Sequence, residues 1–550
     1  MQTDDYQMRL TNFLERARLL FPNRIITSRE ANGDIVKKTY QEEYQRISQL
    51  ASVLKAFGIK KREAVASFAW NTHRHYELYF AAPCMGVTIH TINLRMSMED
   101  IIYSVEKVED KLFFIEEDLI PQFEPVAEVL NNTLSNIKGY VILSDKKNIK
   151  DLAPTTLSPL YLYEDIIANE NTDFDFNEDF DENTIASVFF TGGTTGRPKG
   201  VAVTHRHMFL RSLAMTSVEQ YSIGQRDTII HVVPMFHVNG WYFPQTGTLV
   251  GANQVYPGPG FTPEIILDLI AQEKVTISGG VPTIWMDCLN HIKAGKKKHD
   301  IGSLTRVICG GSALPRNAME EYNQLGVNFV HAYGSSESPF ISSSYLRPEL
   351  DDLPVDEQWK YKASVGMPFV GTELKVLHDD ESEVKWDGKD MGQIVARSPW
   401  TITSYYKESA ERNAGSFKNG WYYSGDIATV DKYGYINIVD RLKDLIKSGG
   451  EWISSIDLEN VCTAHPDVIE ACAIAAKHDR WGERPVLLVI PDENKKESIN
   501  EEDILHFLST RVPKWWLPDK IIITSSIDRT GVGKMDKKKI RNKYKDVLIF

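Results

Sequence analysis

The sequence predicts a chain of mixed α/β and α+β class. A large N-terminal domain of parallel-rich sheets and covering helices, with a small antiparallel β subdomain, precedes a small α+β C-terminal domain. Three observations predict this. From residue 40 onward, short apolar runs of strand length alternate with helical periodicities, the pattern of parallel sheet under helices. After about residue 370 the texture changes to strands separated by turns, the pattern of antiparallel hairpins. A charged connection at 440–446 then leads into about 105 residues of compact alternation, enough for a small domain. The expected organisation is residues 1–439 (β subdomain about 370–439), a hinge at 440–446 and a C-terminal domain at 447–550.

In chain order, Tyr44, Ile47, Ala51 and Leu54 recur at helical spacing and Gly58 follows as a stop. Residues 64–69 are a strand-length apolar run. Ser97-Met98-Glu99-Asp100 reads as a capping box opening a helix at 101–108. Further strands are expected at 111–115, 140–143, 275–278, 306–309 and 327–333. The last three end in Gly or Tyr-Gly turns, and strand ends followed by glycine are where open α/β sheets bind ligands. Strands at 372–377, 393–397, 421–423 and 435–439 surround turns such as Asp431-Lys432-Tyr433-Gly434. Runs at 453–461, 469–475, 486–490, 504–508 and 520–523 make the C-terminal alternation.

Composition narrows the function classes. A net charge of −13 argues against broad electrostatic binding to nucleic acid or an anionic membrane. The stretches at 296–298 and 537–539 read as solvated lysine faces. No apolar stretch reaches bilayer-spanning length, and the N-terminus lacks the layout of a signal peptide. The five cysteines show neither metal nor redox spacing, which fits a reducing cytoplasm. His73-Arg74-His75 and His205-Arg206-His207 lack partner ligands in register for a metal.

The chemistry concentrates at 191–200, Thr-Gly-Gly-Thr-Thr-Gly-Arg-Pro-Lys-Gly, between apolar runs at 185–190 and 201–203. Four glycines let backbone N–H groups turn inward and approach a ligand, making an anion-binding concavity. Thr191, Thr194, Thr195 and Lys199 add hydroxyl donors and a positive charge. This is a phosphate cradle, but not a Walker loop, because Lys199 has no Gly before it and no hydroxyl after it.

The string resembles the phosphate-binding loop of the adenylate-forming superfamily, [ST]-S-G-[ST]-T-G-x-P-K-G, with Gly192 where that pattern has Ser. Six further segments resemble the same superfamily in order: 231–241, 309–313, 331–337 (against Y-G-x-T-E), 423–426 (Y-x-G-D), 440–444 (the hinge) and 529–534 (R-T-x-x-G-K). Ser336 stands in place of Thr. The resemblance spans about residues 190–534.

What the resemblance implies is ATP-dependent activation of a carboxylic acid. Thr191, Gly192, Gly193, Thr194, Thr195, Gly196 and Lys199 would hold the phosphates, and Thr191 and Glu337 would hold Mg²⁺. Gly310, Gly311, His331, Ala332, Tyr333 and Ser336 would hold the adenine side. Asp426 has the acceptors for a ribose diol, with Arg441 beside it. Lys447 would contact the AMP phosphate, and its alternative is an exposed surface lysine. Lys534 would bridge the attacking carboxylate and the α-phosphate. His237 reads equally as a site residue or a hydrogen-bonded core histidine. Lys443 would be the pivot of a mobile C-terminal domain that presents a second face for thioester formation. Ser448, Gly449 and Gly450 would let the arm of coenzyme A pass.

The segments 236–241 and 440–459 are most similar to medium- and long-chain fatty acyl-CoA synthetases of bacteria and archaea. There Trp241, next to Val238, would gate an acyl tunnel. A large ring across an apolar tunnel keeps water from the acyl-adenylate. The expected cofactors are ATP, Mg²⁺ and coenzyme A, and a homodimer is the expected assembly. A ligase for a short hydroxy or aryl acid, or one loading a carrier protein, remains an alternative. Chain length does not follow from the sequence, because one methylene is worth only about 1–3 kcal/mol.

Overall fold

Runs of wholly buried residues become the inner strands of two large sheets. This computed structural model describes residues 6–134, 136–176, 179–191, 197–295, 297–312, 314–449, 451–492, 499–529 and 535–548. By internal packing the chain divides into two units, Met1–Leu374 with Ala396–Tyr422, and Lys375–Val395 with Tyr423–Phe550.

In the first unit a seven-stranded sheet runs in the order Leu160–Leu162, Tyr140–Leu143, Phe113–Glu116, Ala64–Phe68, Thr88–Thr91, Ile185–Thr191, Lys199–Thr204. Neighbours are parallel except for the last pair, which turns back antiparallel. Four of its five inner strands, all but Ile185–Thr191, are buried along their whole length. That is why they read as unbroken apolar runs, since both faces are covered. Ile101, Val105, Phe123 and Val126 cover one face and Leu78, Phe80 and Ala81 pack in the core of the other.

A nine-stranded sheet completes the unit. Six parallel strands, Asn328–Tyr333, Arg306–Gly310, Ile277–Gly280, Thr228–Ile230, Asn253–Tyr256 and Ile25–Arg29, form its middle. Antiparallel pairs finish both edges. Helices Pro263–Glu273, Pro282–Ala294 and Arg316–Gln324 pack on it around Trp285 and Tyr322.

Local chemistry sets the helix ends. Ser97 accepts the Asp100 N–H at 3.2 Å, so its helix opens at Met98, one turn earlier than the apolar pattern implied. Tyr44, Ile47, Ala51 and Leu54 line the buried face of helix Tyr40–Ala56, and Gly58 follows at φ 67°. Thr204, the last residue of the strand leaving the Gly/Thr loop, caps helix His205–Met215.

In the second unit, the part of strand Trp421–Val430 from Asp426 onward pairs antiparallel with Ile436–Arg441, bringing Asp426 opposite Arg441. The C-terminal sheet runs Glu451–Ile453, Ile446–Ser448, Gly482–Pro491, Val468–His478, with Lys520–Ile523 added parallel to Gly482–Pro491. Helices Ser455–Thr463, Glu501–Ser509 and Lys537–Tyr544 belong to the same unit.

One lysine departs from expectation. The stretch at 537–539 reads as a solvated face, yet the Lys537 side chain is only 13% exposed and pairs with Glu459 at 2.7 Å. Its Nζ also bonds Ser455 Oγ at 2.6 Å. Burial of the ammonium is tolerated because both contacts pair it. Lys539 does stay outside, paired with Asp528.

Among the described residues no helix is long and apolar enough to cross a membrane. All five cysteines are buried and free.

Candidate active site

The strands flanking the Gly/Thr loop fix its two ends. Thr191 closes Ile185–Thr191 and stands opposite Lys199 in the antiparallel register. Gly192, Gly193, Thr194, Thr195 and Gly196 lie outside the described residues. Just beyond the loop, the Tyr406 N–H bonds the Gly200 carbonyl at 2.8 Å. This brings the segment around Tyr405 against the loop's exit strand.

Tyr405 then joins two predicted site residues. Lys199 Nζ lies 4.3 Å from the centroid of the Tyr405 ring. The Tyr405 hydroxyl donates to Glu337 Oε1 at 2.7 Å. Burial, and then the Glu337 charge, push the phenol well above its ordinary value, so it remains a donor at neutral pH. The Tyr422 hydroxyl reaches the other oxygen of Glu337 at 3.3 Å. The first unit therefore gathers the loop lysine and the metal-type carboxylate around one phenol ring.

The donor set suits Mg²⁺. That ion takes one or two carboxylates, keeps several waters and completes its shell with substrate phosphates. Glu337 supplies one half-exposed carboxylate and Thr191 one hydroxyl. Among the described residues no group of three or more His, Cys, Asp or Glu gathers as a self-sufficient cage.

In the segments expected at the adenine, Gly310 ends its strand and Gly311 turns at φ 89°. The next strand carries His331, Ala332 and the half-buried Tyr333 at its end. Burial lowers the His331 imidazole below its ordinary value, and its Nδ1 faces the Ala363 carbonyl at 3.2 Å. Ser336 is half-buried in the turn beyond.

The segment expected on the acyl side, 231–241, is held by buried hydrogen bonds. Asn71, 4% exposed, donates to the carbonyls of His231 and Val233, each at 2.7 Å. It also accepts the Met235 N–H at 2.8 Å. Ser187 donates to Asn239 Oδ1 at 2.7 Å. His237 is half-buried, with its N–H on the Pro234 carbonyl at 3.0 Å. Val238, Asn239, Gly240, Trp241 and Tyr242 all adopt positive φ, between 41° and 60°.

The left-handed run lays Trp241 on a floor of glycines. A Cβ at Gly279 would lie 3.3 Å from Trp241 Cε3 and 2.5 Å from Phe243 Cε2. One at Gly310 would lie 3.3 Å from Trp241 Cη2 and 2.5 Å from the Ala332 carbonyl oxygen. These are contacts that only residues without a side chain allow.

The second unit carries the remaining predicted residues. Asp426, 6% exposed, pairs with Arg441 Nε at 3.1 Å. Lys443 is exposed in the turn after Arg441. The flanking carboxylates are anchored within the unit: Asp440 accepts from the Ser455 hydroxyl, and Asp444 from Arg541, each at 2.6 Å. Lys447 Nζ lies 5.2 Å from the Trp452 ring. Ser448 and Gly449 line a cleft of about 610 Å³ with Trp481, Arg484, Trp515 and Asp519. Gly449 turns at φ 61°, and a Cβ there would lie 2.8 Å from the Trp481 ring. Gly450 and Lys534 lie outside the described residues.

Tyr405, Tyr422 and Asn71 carry no signal in the sequence, and Gly279 is legible only as the glycine ending the strand at 275–278. None sits in a recognisable string, and each acts on a partner far away along the chain.

Two parallel-rich sheets, a Gly/Thr loop at a strand end and a lysine and carboxylate gathered beside it define a nucleotide-dependent enzyme. A family model described as AMP-binding enzyme matches residues 14–406, and one described as AMP-binding enzyme C-terminal domain matches residues 457–534. The chain belongs to the AMP-binding enzyme family. It is 36% identical over 545 residues to a long-chain-fatty-acid–CoA ligase of Thermus thermophilus, covering 98% of this chain and 96% of that protein. It is 35% identical over 545 residues to a medium-chain-fatty-acid–CoA ligase of Ectopseudomonas oleovorans, covering 99% and 97%. Among solved structures it is similar to ATP-bound MatB from Rhodopseudomonas palustris, with a TM-score of 0.83 at 24% identity, covering 99% of this chain and 100% of that one.

Proposed function

We propose that this protein is an AMP-forming acyl-CoA synthetase for medium- or long-chain fatty acids. The observation that carries the reading is the Tyr405 ring, with Lys199 on its face and Glu337 on its hydroxyl, beside a loop of phosphate-binding composition. Full-length similarity to ligases of that type supports the acid class.

In the first step a carboxylate oxygen attacks the α-phosphorus of ATP, the bond to the β-phosphate breaks and pyrophosphate leaves. Charge gathers around the α-phosphate, and preorganised donors and cations aimed there lower the barrier. Lys199 and the loop hold the outer phosphates. Thr191 and Glu337 would hold Mg²⁺, which when bound neutralises phosphate charge. Gly310, Gly311, His331, Ala332, Tyr333 and Ser336 shape the adenine side. Asp426 accepts the ribose hydroxyls, and Arg441 pairs with that carboxylate. Lys447 contacts the AMP phosphate, Lys534 bridges the two reacting anions, and His237 lies along the acyl side. Trp241, with Val238, covers the acyl channel and excludes water.

In the second step the coenzyme A sulfur attacks the acyl carbon and AMP leaves. We take 440–446 as the hinge, with Lys443 its pivot, and Ser448, Gly449 and Gly450 as the passage for the thiol arm. Trp481 and Trp515, each 42% exposed, offer faces on which an adenine could stack. The five buried, unbridged thiols support a cytoplasmic setting. A homodimer is the expected assembly, and light scattering tests it. A panel of acids from acetate to palmitate, including hydroxy and aryl acids, with mass detection of the thioester, tests the function. Preference for a hydroxy or aryl acid would move the substrate class. Acyl-AMP without thioester would favour the carrier-loading alternative.

A further inference from the structure

Arg211 places a buried cation where no anion meets it. It lies on helix His205–Met215, only 1% exposed, and among the described residues no carboxylate pairs with it. Its Nη2 donates to the Trp400 carbonyl at 3.0 Å. Its Nε and Nη1 make no hydrogen bond. What the guanidinium does meet is a ring: Cζ lies 3.8 Å from the centroid of Tyr242.

Tyr242 is the last residue of the left-handed run that begins at Val238. Four of these five residues have side chains, and non-glycine residues hold such φ values only where their surroundings over-determine them. Asn71 and Ser187 fix the entrance to the run through Met235 and Asn239. At its exit the Tyr242 ring is clamped by Arg211. Trp241, one residue earlier, is thereby held on Gly279 and Gly310. Arg211 also belongs to the helix that Thr204 caps, at the end of the strand leading out of the Gly/Thr loop.

Stability does not explain this arginine. An unpaired charge in the interior is costly, and replacing it by an apolar side chain of similar length is commonly neutral or stabilising. A desolvated guanidinium flat on a tyrosine is a strong orienting contact, and a lysine ammonium reproduces it incompletely. We propose that Arg211 is a positioning residue for the acyl side of the site. Through Tyr242 it holds the left-handed turn, and so fixes the Trp241 indole over its glycine floor. The proposal rests on the reading of Trp241 as the cover of the acyl channel.

The test uses the full chain with Arg211→Met, Arg211→Lys and Tyr242→Leu. Arg211→Met removes a costly buried charge but leaves the Trp400 carbonyl without its donor, so its unfolding temperature should stay near the wild type's, while KM for the acid rises at least tenfold and KM for ATP moves less than twofold. Arg211→Lys should recover part of the loss. The double variant Arg211→Met, Tyr242→Leu should be no worse than the poorer single one, because both remove the same contact. A second readout is independent of turnover. With fluorotryptophan incorporated, the Trp241 resonance, assigned through Trp241→Phe, should shift or broaden in Arg211→Met. A lowered unfolding temperature with unchanged KM values would make Arg211 structural only and overturn the proposal. So would an unmoved Trp241 resonance. A wild-type protein that forms thioester from no acid would remove the functional reading instead, and the resonance would still decide whether Arg211 sets the turn.

Discussion

The hydroxyl of Tyr405 donates to Glu337 Oε1 at 2.7 Å, while the ring of Tyr405 carries Lys199 at 4.3 Å. One phenol thus orients the carboxylate proposed for Mg²⁺ and seats the lysine proposed for phosphate. Tyr405→Phe separates the two roles, because it keeps the ring and removes the hydroxyl. Losing a hydrogen bond that orients a metal-holding side chain typically costs about 10–100-fold in metal affinity or activity. Pyrophosphate release as a function of Mg²⁺ concentration should therefore shift to higher Mg²⁺, and an unchanged Mg²⁺ dependence would contradict the arrangement. Chelation of Mg²⁺ should stop adenylation by the wild type.

Lys534→Ala should reduce adenylation by at least about 10²–10³, the loss expected for one preorganised donor. Thioester formation from supplied acyl-AMP should be spared. An equal fall in both half-reactions would remove the two-face account of the C-terminal domain.

Asn71→Asp should harm the acyl side selectively. The carboxylate keeps an acceptor for the Met235 N–H but loses both donors to the His231 and Val233 carbonyls. Leaving buried carbonyls unpaired costs about 1–3 kcal/mol, more beside a charge. The expected readouts are a lower unfolding temperature and a raised KM for the acid. A raised KM for ATP alone would place the segment elsewhere in the reaction.

His205 predicts a local pH dependence. Burial, and then the positive charge of Arg9, push its imidazole down to about 3. Its Nδ1 accepts the Leu10 N–H at 3.2 Å. The folded state therefore holds it neutral, whereas the unfolded chain protonates it near 6.5. Its contribution to stability is complete above the unfolded value and is lost as pH falls from there toward 3. At pH 5 the loss is about 2 kcal/mol. His205→Asn can keep an acceptor for Leu10 without titrating. Denaturant unfolding at pH 7 and pH 5 should show the wild type losing about 2 kcal/mol more than the variant. Equal losses would contradict the buried neutral histidine.

Fold and site were legible in the sequence to different depths. Strand Tyr140–Leu143 falls on the residues read from its apolar run, because a strand buried on both faces writes itself as one. The Gly/Thr loop and Glu337 carry local strings with specific chemistry. What Tyr405 does is set by the Gly200–Tyr406 backbone bond, which no local pattern encodes. The left-handed run at 238–242 offers only Asn239-Gly240 as a turn signal, and tertiary contacts from Asn71, Ser187 and Arg211 hold the rest. A lysine run at 537–539 reads as a solvated face because charge runs usually are; Glu459 and Ser455, distant along the chain, draw the Lys537 ammonium inward.

On the proposed function, one protein joins an acid to coenzyme A through an acyl-adenylate. The most direct measurement incubates the wild type with decanoate, ATP, Mg²⁺ and coenzyme A, and quantifies all products by mass spectrometry. The predicted result is decanoyl-CoA, AMP and pyrophosphate in equal amounts, with decanoyl-AMP replacing the thioester when coenzyme A is omitted. Formation of ADP and phosphate, or no thioester from any acid between acetate and stearate, would contradict it.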